Sequence, residues 1–137
     1  MAYLLDTNVV SELRKSKPHG GVLAWIQKVP EDALFISAVT VGEIQGGIEL
    51  TRSQNAAKAD EIERWLDELA AASHVIPADA AIFRRWAQLM HGRSDHHLED
   101  ALIAATALVR DLTVATRNTR DFGPFGVRLV DPFSTQR

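Results

Sequence analysis

The chain contains no cysteine and no long hydrophobic run, and each absence excludes a class of protein. Without cysteine there is neither a disulfide framework nor a thiolate metal site, which permits a reducing compartment. The most apolar stretch, Ala101 to Val109, is far shorter than the ~18 residues of a membrane span. No basic segment followed by a long apolar one begins the chain, so we expect no signal peptide. A cytoplasmic protein without membrane contact is therefore predicted.

An excess of positive charge is also missing. The chain has 15 Lys and Arg residues against 18 Asp and Glu residues, which gives a net charge of -3 at pH 7. This argues against a simple nucleic-acid-binding module. It argues less against an enzyme with an acidic pocket, because bound divalent cations reverse the local sign of the charge. A length of 137 residues with 46% hydrophobic residues predicts one globular domain, 1–137.

Strand-like and helix-like patterns alternate along the chain. The predicted strands cover residues 3–5, 34–36, 74–76, 113–115 and 127–130. The predicted helices cover about 8–14, 22–29, 38–50, 56–73, 79–90 and 101–109, with Thr7 or Asn8 capping the first, Ser37 capping the third and a turn over 117–122. This order predicts an α/β fold, in which a central, mainly parallel sheet is flanked by helices. We expect Trp25, Trp65 and Trp86 to pack in the core.

Four acidic residues occupy related places in this predicted sheet. Asp6 follows the first strand, Glu43 lies in the helix after the second, and Asp121 follows the fourth by a short turn. Ligands of an open parallel sheet bind beyond the carboxyl ends of its strands. These three acids are therefore predicted to meet there, and Asp100 can reach the same edge from the start of its own buried helix.

Each acid also has an ordinary structural alternative. Asp6 could cap a helix, Asp100 could favour a helix dipole, Asp121 could form an Asx turn, and Glu43 could pair with a distant arginine. Brought together, however, the carboxylates would repel one another and take up protons unless a cation lay between them. Oxygen ligands without cysteine favour Mg²⁺ or Mn²⁺, and such ions activate water for phosphodiester hydrolysis.

Further polar residues are candidates for supporting roles. Side chains that could orient the metal ligands by hydrogen bonds are Thr7, Asn8, Thr116 and Asn118. Basic side chains that could contact phosphates are Arg14, Lys15, Arg117 and Arg120. For the loop that contains Arg14 and Lys15, a solvated run of charge is an equal alternative. We expect the histidines at 91, 96 and 97 to lie in a surface loop rather than to bind metal or RNA.

Four segments resemble, in order, the motifs of a known family. They are Leu4 to Leu13 with Asp6-Thr7-Asn8, Ser37 to Glu43, Glu99 to Ala107, and Thr116 to Phe122. This set is similar to the motifs of PIN-domain ribonucleases, specifically the VapC-type toxins of bacterial toxin–antitoxin pairs. The resemblance covers nearly the whole chain.

The resemblance implies a PIN fold, RNA cleavage that depends on Mg²⁺ or Mn²⁺, and inhibition by a VapB-type antitoxin. It also implies a homodimer, and a toxin–antitoxin complex that binds operator DNA through the antitoxin. By position, the acidic metal-site residues would be Asp6, Glu43, Asp100 and Asp121, with Asp6 and Asp100 as direct ligands. Many PIN domains carry an acid where this chain has Asn118, so one ion is as well expected as two.

Three alternatives stay open from the sequence. The net acidity and Asn118 also fit a regulatory or binding module with a vestigial acidic pocket, acting through a partner and operator DNA. The same chemistry could cut DNA, as in flap nucleases, although the short chain leaves no obvious room for a DNA-threading arch. Glu12, one turn beyond Asp6, is interpreted as a structural or antitoxin-facing residue rather than as a fifth ligand.

Overall fold

A five-stranded sheet forms the centre of the computed structural model, which describes residues 1–134 and leaves the side chain of His96 undescribed. The strands are β1 Tyr3–Leu5, β2 Leu34–Ser37, β3 His74–Ile76, β4 Thr113–Ala115 and β5 Leu129–Val130. They pair in the order β3-β2-β1-β4-β5, and every pairing is parallel. The predicted α/β fold with a mainly parallel sheet is therefore confirmed.

Seven α-helices connect these strands within the described residues. They are α1 Thr7–Glu12, α2 Gly20–Lys28, α3 Ala38–Arg52, α4 Ala56–Ala72, α5 Ala80–Met90, α6 Leu98–Arg110 and α7 Thr119–Phe122. Single 3-10 turns cover Glu31–Ala33, Asp95–His97 and Gly123–Phe125. None of the described helices combines the length and the apolar composition that crossing a bilayer needs.

Three local predictions were wrong in detail. The cap of α1 is Asp6, whose carboxylate accepts the Thr7 N–H, rather than Thr7 or Asn8. The predicted turn over 117–122 contains α7, because the fully buried ring of Phe122 anchors a helical turn there. The last strand is shorter than 127–130 and covers Leu129–Val130, because a 3-10 turn ends at Gly126, with a positive φ of 70°, and the chain reaches the sheet only at Leu129.

Each face of the sheet carries its own hydrophobic core, because successive strand residues point to opposite faces. Leu4 and Val114 face α5, α6 and α7, where Trp86 also packs. Leu5 and Ala115 face α1, α2, α3 and α4, and this core includes Trp25 and Trp65. Full burial of a leucine or valine side chain, as at Leu4 and Val114, stabilises the folded state by about 1.5–3 kcal/mol. The predicted packing role of the three tryptophans is confirmed.

The sheet changes direction beside β1. The chain builds outward from β1 through β2 to β3, then crosses by α5 and α6 to β4 on the other side of β1. A crevice forms at such a switch point, outside the carboxyl ends of the strands. Leu5 is in register with both Ile36 and Ala115, so the residues that follow β1, β2 and β4 emerge side by side at this crevice.

Candidate active site

Asp6 stands at the centre of the crevice, one residue beyond β1. Its side chain is only 4% exposed, and its backbone N–H still bonds to the Ala115 carbonyl of the neighbouring strand. One carboxylate oxygen accepts the Thr7 N–H at 2.8 Å, which makes Asp6 the cap of α1 as well. Burial raises the pKa of Asp6, and its hydrogen bonds from Thr116 and Thr7 only partly oppose this.

Thr116 and Asn8 hold the other oxygen of Asp6. The hydroxyl of Thr116, which is fully buried, donates to Oδ2 of Asp6 at 2.7 Å, and Nδ2 of Asn8 donates to the same oxygen at 3.2 Å. Thr116 Oγ1 in turn accepts the backbone N–H of Asn118 at 2.9 Å. Two residues predicted to orient a metal ligand, Thr116 and Asn8, therefore contact Asp6 directly, whereas Asn118 reaches the group through its backbone.

Glu43 enters the crevice from the second turn of α3. The hydroxyl of Thr7, the fourth residue predicted to orient a ligand, donates to Oε1 of Glu43 at 2.6 Å. Thr7 is also 3.0 Å from the buried hydroxyl of Thr40. Burial raises the pKa of Glu43 to about 7, against the Thr7 hydrogen bond and with further help from the negative charges of Glu99 and Asp6.

Asp100 and Asp121 complete the acidic group from α6 and α7. Asp100 lies in the first turn of α6 and is partly buried, whereas Asp121 is exposed. Burial raises the pKa of Asp100, and the charges of Asp6 and Asp121 raise it further, while His97 opposes them from 3.9 Å. Electrostatic interactions thus link the four predicted acids in a chain at the crevice, in which Glu43 interacts with Asp6, Asp6 with Asp100, and Asp100 with Asp121.

Glu99 is an acidic residue of the site that the sequence reasoning did not select. Its carboxyl interacts with that of Glu43, and both side chains line an open groove of about 620 Å³ along α3, together with Gly46, Gly47 and Leu50. The glycines leave open space beside Glu43, as expected from their helical spacing. The signal for Glu99 was its position within the third motif. Asp100 was selected instead because it opens the buried helix beside small residues.

Only some of the structural roles that the sequence offered for these acids are observed. Asp6 does cap a helix, but it also accepts bonds from Thr116 and Asn8. Among the residues the structure describes, none of the four acids forms an ion pair with a lysine or arginine, so Glu43 has no distant arginine partner. Among the described side chains, only His97, 3.9 Å from Asp100, places a basic group within ion-pair distance of these four acids.

The donor set fits a hard divalent cation, although it is not assembled around one. Its side chains offer only carboxylate, hydroxyl and amide oxygens, the ligands of Mg²⁺ and Mn²⁺. Over residues 1–134, leaving out the His96 side chain, no three His, Asp or Glu side chains already form a metal-holding group.

The four basic candidates have different surroundings. Lys15 pairs with Glu12 at 2.9 Å, whereas Arg14 and Arg120 are exposed. The guanidinium of Arg117 lies 4.0 Å above the ring of Phe133.

The remaining polar candidates fall outside the acidic group, apart from one histidine. Glu12 is buried and accepts the His19 N–H at 2.8 Å, which agrees with a structural role. Of the three histidines, His97 approaches Asp100, His91 is exposed, and the side chain of His96 lies outside the described residues.

Comparisons with known proteins agree with this architecture. The PIN domain family matches residues 3–123. VapC ribonuclease Y4jK of Sinorhizobium fredii is 34% identical over 95% of this chain and 96% of its own length. Toxin FitB of Neisseria gonorrhoeae is 33% identical over 95% of this chain and 97% of its own length. The solved structure of FitAB bound to an IR36 DNA fragment superposes with a TM-score of 0.84 at 29% identity, covering 98% of each chain. These matches confirm the resemblance to VapC-type toxins, and the chain belongs to the PIN-domain family.

Proposed function

We propose that this protein is the toxin of a toxin–antitoxin pair and acts as a divalent-metal-dependent endoribonuclease. The observation that carries the proposal is the acidic group at the crevice, in which the pKa values of Asp6, Glu43 and Asp100 are all raised. Buried carboxylates without a basic partner favour either protons or a cation, and a cation is the choice that supports hydrolysis at neutral pH. Similarity to VapC ribonuclease Y4jK and toxin FitB supports the same reaction class.

Each residue of the site has a distinct task in this proposal. The carboxylates of Asp6, Glu43, Asp100 and Asp121 would hold Mg²⁺ or Mn²⁺, which supplies an activated water and neutralises charge on the phosphate. Thr116 fixes the rotamer of Asp6 by its 2.7 Å hydrogen bond, and Thr7 fixes Glu43 at 2.6 Å. These bonds orient the carboxylates before substrate arrives, so less reorganisation is needed during the reaction. Because Asn118 is a neutral amide where many PIN domains carry an acid, the site would hold either one ion or two.

RNA would approach along the groove beside α3. The groove is about 620 Å³, its lining includes Glu43 and Glu99, and the lining glycines leave room for a backbone to approach closely. Phosphates would be contacted by the exposed Arg14, Arg117 and Arg120. Lys15 can join them only by leaving Glu12.

The partner would be a small VapB-type antitoxin, and FitAB bound to DNA offers the precedent. An inhibitory segment that places a basic side chain among the carboxylates would compete directly with the metal. The complex would bind operator DNA through the antitoxin, and the toxin would form a homodimer in the cytoplasm.

The test compares Asp6→Asn with the wild-type protein and with Asp67→Asn, a matched change at an exposed acid on α4. We expect the wild-type protein and Asp67→Asn to cleave RNA with Mg²⁺ or Mn²⁺, to stop with EDTA, and to arrest growth when expressed without antitoxin. Asp6→Asn should fold, because its amide oxygen still caps α1. It should neither cleave RNA nor arrest growth. Undiminished cleavage by Asp6→Asn would refute the proposal.

One observation favours a second candidate, a metal-poor binding module that acts through its partner and operator DNA. It is the neutral amide of Asn118, at a position where many PIN domains carry an acid. Calorimetric titration separates the two candidates. Saturable Mn²⁺ binding that Asp6→Asn abolishes supports the nuclease, whereas no binding together with no RNA cleavage supports the module.

A further inference from the structure

The ring of Phe133 joins the C-terminal segment to the rim of the acidic site. Phe133 is 8% exposed and packs into the core beneath α1 and α2. The edge of the His19 ring approaches one side, with ring centroids 5.2 Å apart, and the guanidinium of Arg117 lies over the ring at 4.0 Å from its centroid. A hydrogen bond of 2.9 Å from the Phe133 N–H to Asp131 fixes the backbone beneath the ring.

The backbone of Arg117 is tied to the site itself. Arg117 directly follows Thr116, which donates to Asp6, and its own N–H donates to Oδ1 of Asn8 at 3.3 Å. The other end of the Asn8 amide donates to Asp6. The starting point of the Arg117 side chain is therefore fixed relative to the acidic group, and the position of its guanidinium depends on what it rests against.

Electrostatics alone would draw this arginine into the acidic group. Within the described residues, Arg117 forms no ion pair, although the carboxylates of the acidic group lie beside its backbone. The guanidinium instead lies over the ring at an exposed surface, where the buried carboxylate of Glu12 also attracts it electrostatically. A flat aromatic face attracts the guanidinium plane by a cation–π contact and leaves the N–H groups at its edge available for phosphate.

We propose that Phe133 is a positioning residue, whose ring holds Arg117 at the rim of the acidic pocket as a pre-oriented contact for an RNA phosphate. The inference rests on the proposed function, since it needs an RNA substrate at this crevice. A side chain that is already ordered loses less conformational freedom on binding, so the ring strengthens a contact that it does not itself make. Arg117 then binds the phosphate bidentately.

The experiment measures RNA binding in an Asp6→Asn background, so that cleavage does not interfere. A fluorescent single-stranded oligoribonucleotide of mixed sequence is titrated at several salt concentrations with four further variants of the full chain. These are Arg117→Gln, Phe133→Leu, Phe133→Tyr and the double variant Arg117→Gln/Phe133→Leu. Phe133→Met replaces Phe133→Leu if thermal melting shows that the leucine variant does not fold, because the longer, flexible methionine side chain adapts better to an irregular space and also lacks an aromatic face.

We expect Arg117→Gln and Phe133→Leu each to weaken RNA binding several-fold. Each should lower the slope of log K against log salt by about 0.7, the value of one phosphate contact on a single strand. The double variant should bind no more weakly than Arg117→Gln, because the ring acts only through the arginine. Phe133→Tyr keeps the face and should retain the affinity and the slope of the parent.

Two results would overturn the inference alone. One is a folded Phe133→Leu or Phe133→Met protein with the affinity and salt slope of its Asp6→Asn parent. The other is additive losses in the double variant, which would show that Phe133 affects binding without Arg117. A parent that binds no RNA at any salt concentration would instead contradict the proposed function, and the inference with it.

Discussion

Two groups of acidic residues in this molecule have opposite electrostatic surroundings. At the hairpin of α3 and α4, Arg52 contacts Glu49, Asp60 and Glu63 at 3.1, 2.6 and 2.8 Å. Gln45 adds hydrogen bonds to Glu49 and Glu63 at 2.7 and 2.8 Å. At the crevice, by contrast, the acids receive hydrogen bonds from Thr7, Thr116 and Asn8, all of them neutral groups.

The pKa values of the two groups also differ, chiefly because Glu43 is half-buried and Glu49 is exposed. Hydrogen bonds from Gln45 and Arg52 lower the pKa of Glu49, whereas burial raises the pKa of Glu43 to about 7, although both residues lie on α3. Neutral donors fix the direction of a carboxylate without cancelling its charge. The hairpin acids therefore serve the folded state directly, and the crevice acids are ordered but left available to a cation from solution.

The largest expected effect comes from removing a neutral donor at the crevice. Thr116→Val keeps the shape of a fully buried side chain and deletes the 2.7 Å hydrogen bond to Asp6. RNA cleavage should fall about 10- to 100-fold, as for other residues that orient a metal ligand. Thr116→Ser restores the hydroxyl and should recover most of the rate. Full activity in Thr116→Val would show that Asp6 needs no orientation by its neighbours.

Cation binding at the crevice should raise the Tm of the protein, and this rise should not depend on the acids of the hairpin. A ligand present at a hundred times its Kd stabilises the folded state by about 2.7 kcal/mol, so Mn²⁺ should raise the Tm by several degrees. The shift should disappear in Asp6→Asn and persist in Glu63→Gln, which alters only the hairpin. Differential scanning calorimetry checks this, and equal shifts in both variants would place the cation elsewhere.

Stability should respond to pH in opposite directions at the two groups. The folded-state pKa of Glu43, about 7, lies above its ordinary value of 4.5, so folding favours the protonated form. Stability of the metal-free protein should therefore fall as the pH rises from about 5 to 7.5. The full shift corresponds to about 3 kcal/mol, and solvent screening of this half-exposed group reduces it to the order of 1 kcal/mol.

The lowered pKa of Glu49 has the reverse sign: its contribution is present at neutral pH and is lost as the pH falls through its folded-state pKa, below 4.5. Denaturant unfolding from pH 3.5 to 8 measures both effects. Glu43→Gln should remove the decline toward neutral pH, and Glu49→Gln should remove part of the decline in acid. A Glu43→Gln protein that keeps the neutral decline would assign it to another group.

Much of the crevice could be predicted from the sequence because its parts obey local rules. A buried strand followed by Asp6, or by Thr116, places these residues at the carboxyl edge whatever the remaining packing. Helical spacing placed Gly46 and Gly47 beside Glu43, and the structure leaves open space there. Alternation of strands and helices was enough for the parallel sheet.

The rest depends on distances in space that spacing along the chain does not encode. Glu99 approaches Glu43 although 56 residues separate them, because α6 and α3 both begin at the crevice. The stacking of Arg117 on Phe133 requires the segment around Phe133 to pack against the core next to α1. No local sequence pattern predicts that packing. Arg52 likewise reaches Asp60 and Glu63 only because α3 and α4 fold back on each other.

The smallest expected effect tests the balanced side of the comparison. Arg52→Gln leaves three partly exposed acids near one another without their cation, so the Tm should fall slightly, and more at low salt than at high salt. Arg52→Lys keeps the positive charge, but the lysine cannot contact all three acids at once. Its Tm should therefore lie between those of the wild-type protein and Arg52→Gln. RNA cleavage should not change, because Arg52 lies nine residues beyond Glu43 on α3, about 13 Å along the helix. A loss of cleavage at unchanged Tm would show that the hairpin also contacts the substrate, and the division between a balanced and an available acidic group would then fail.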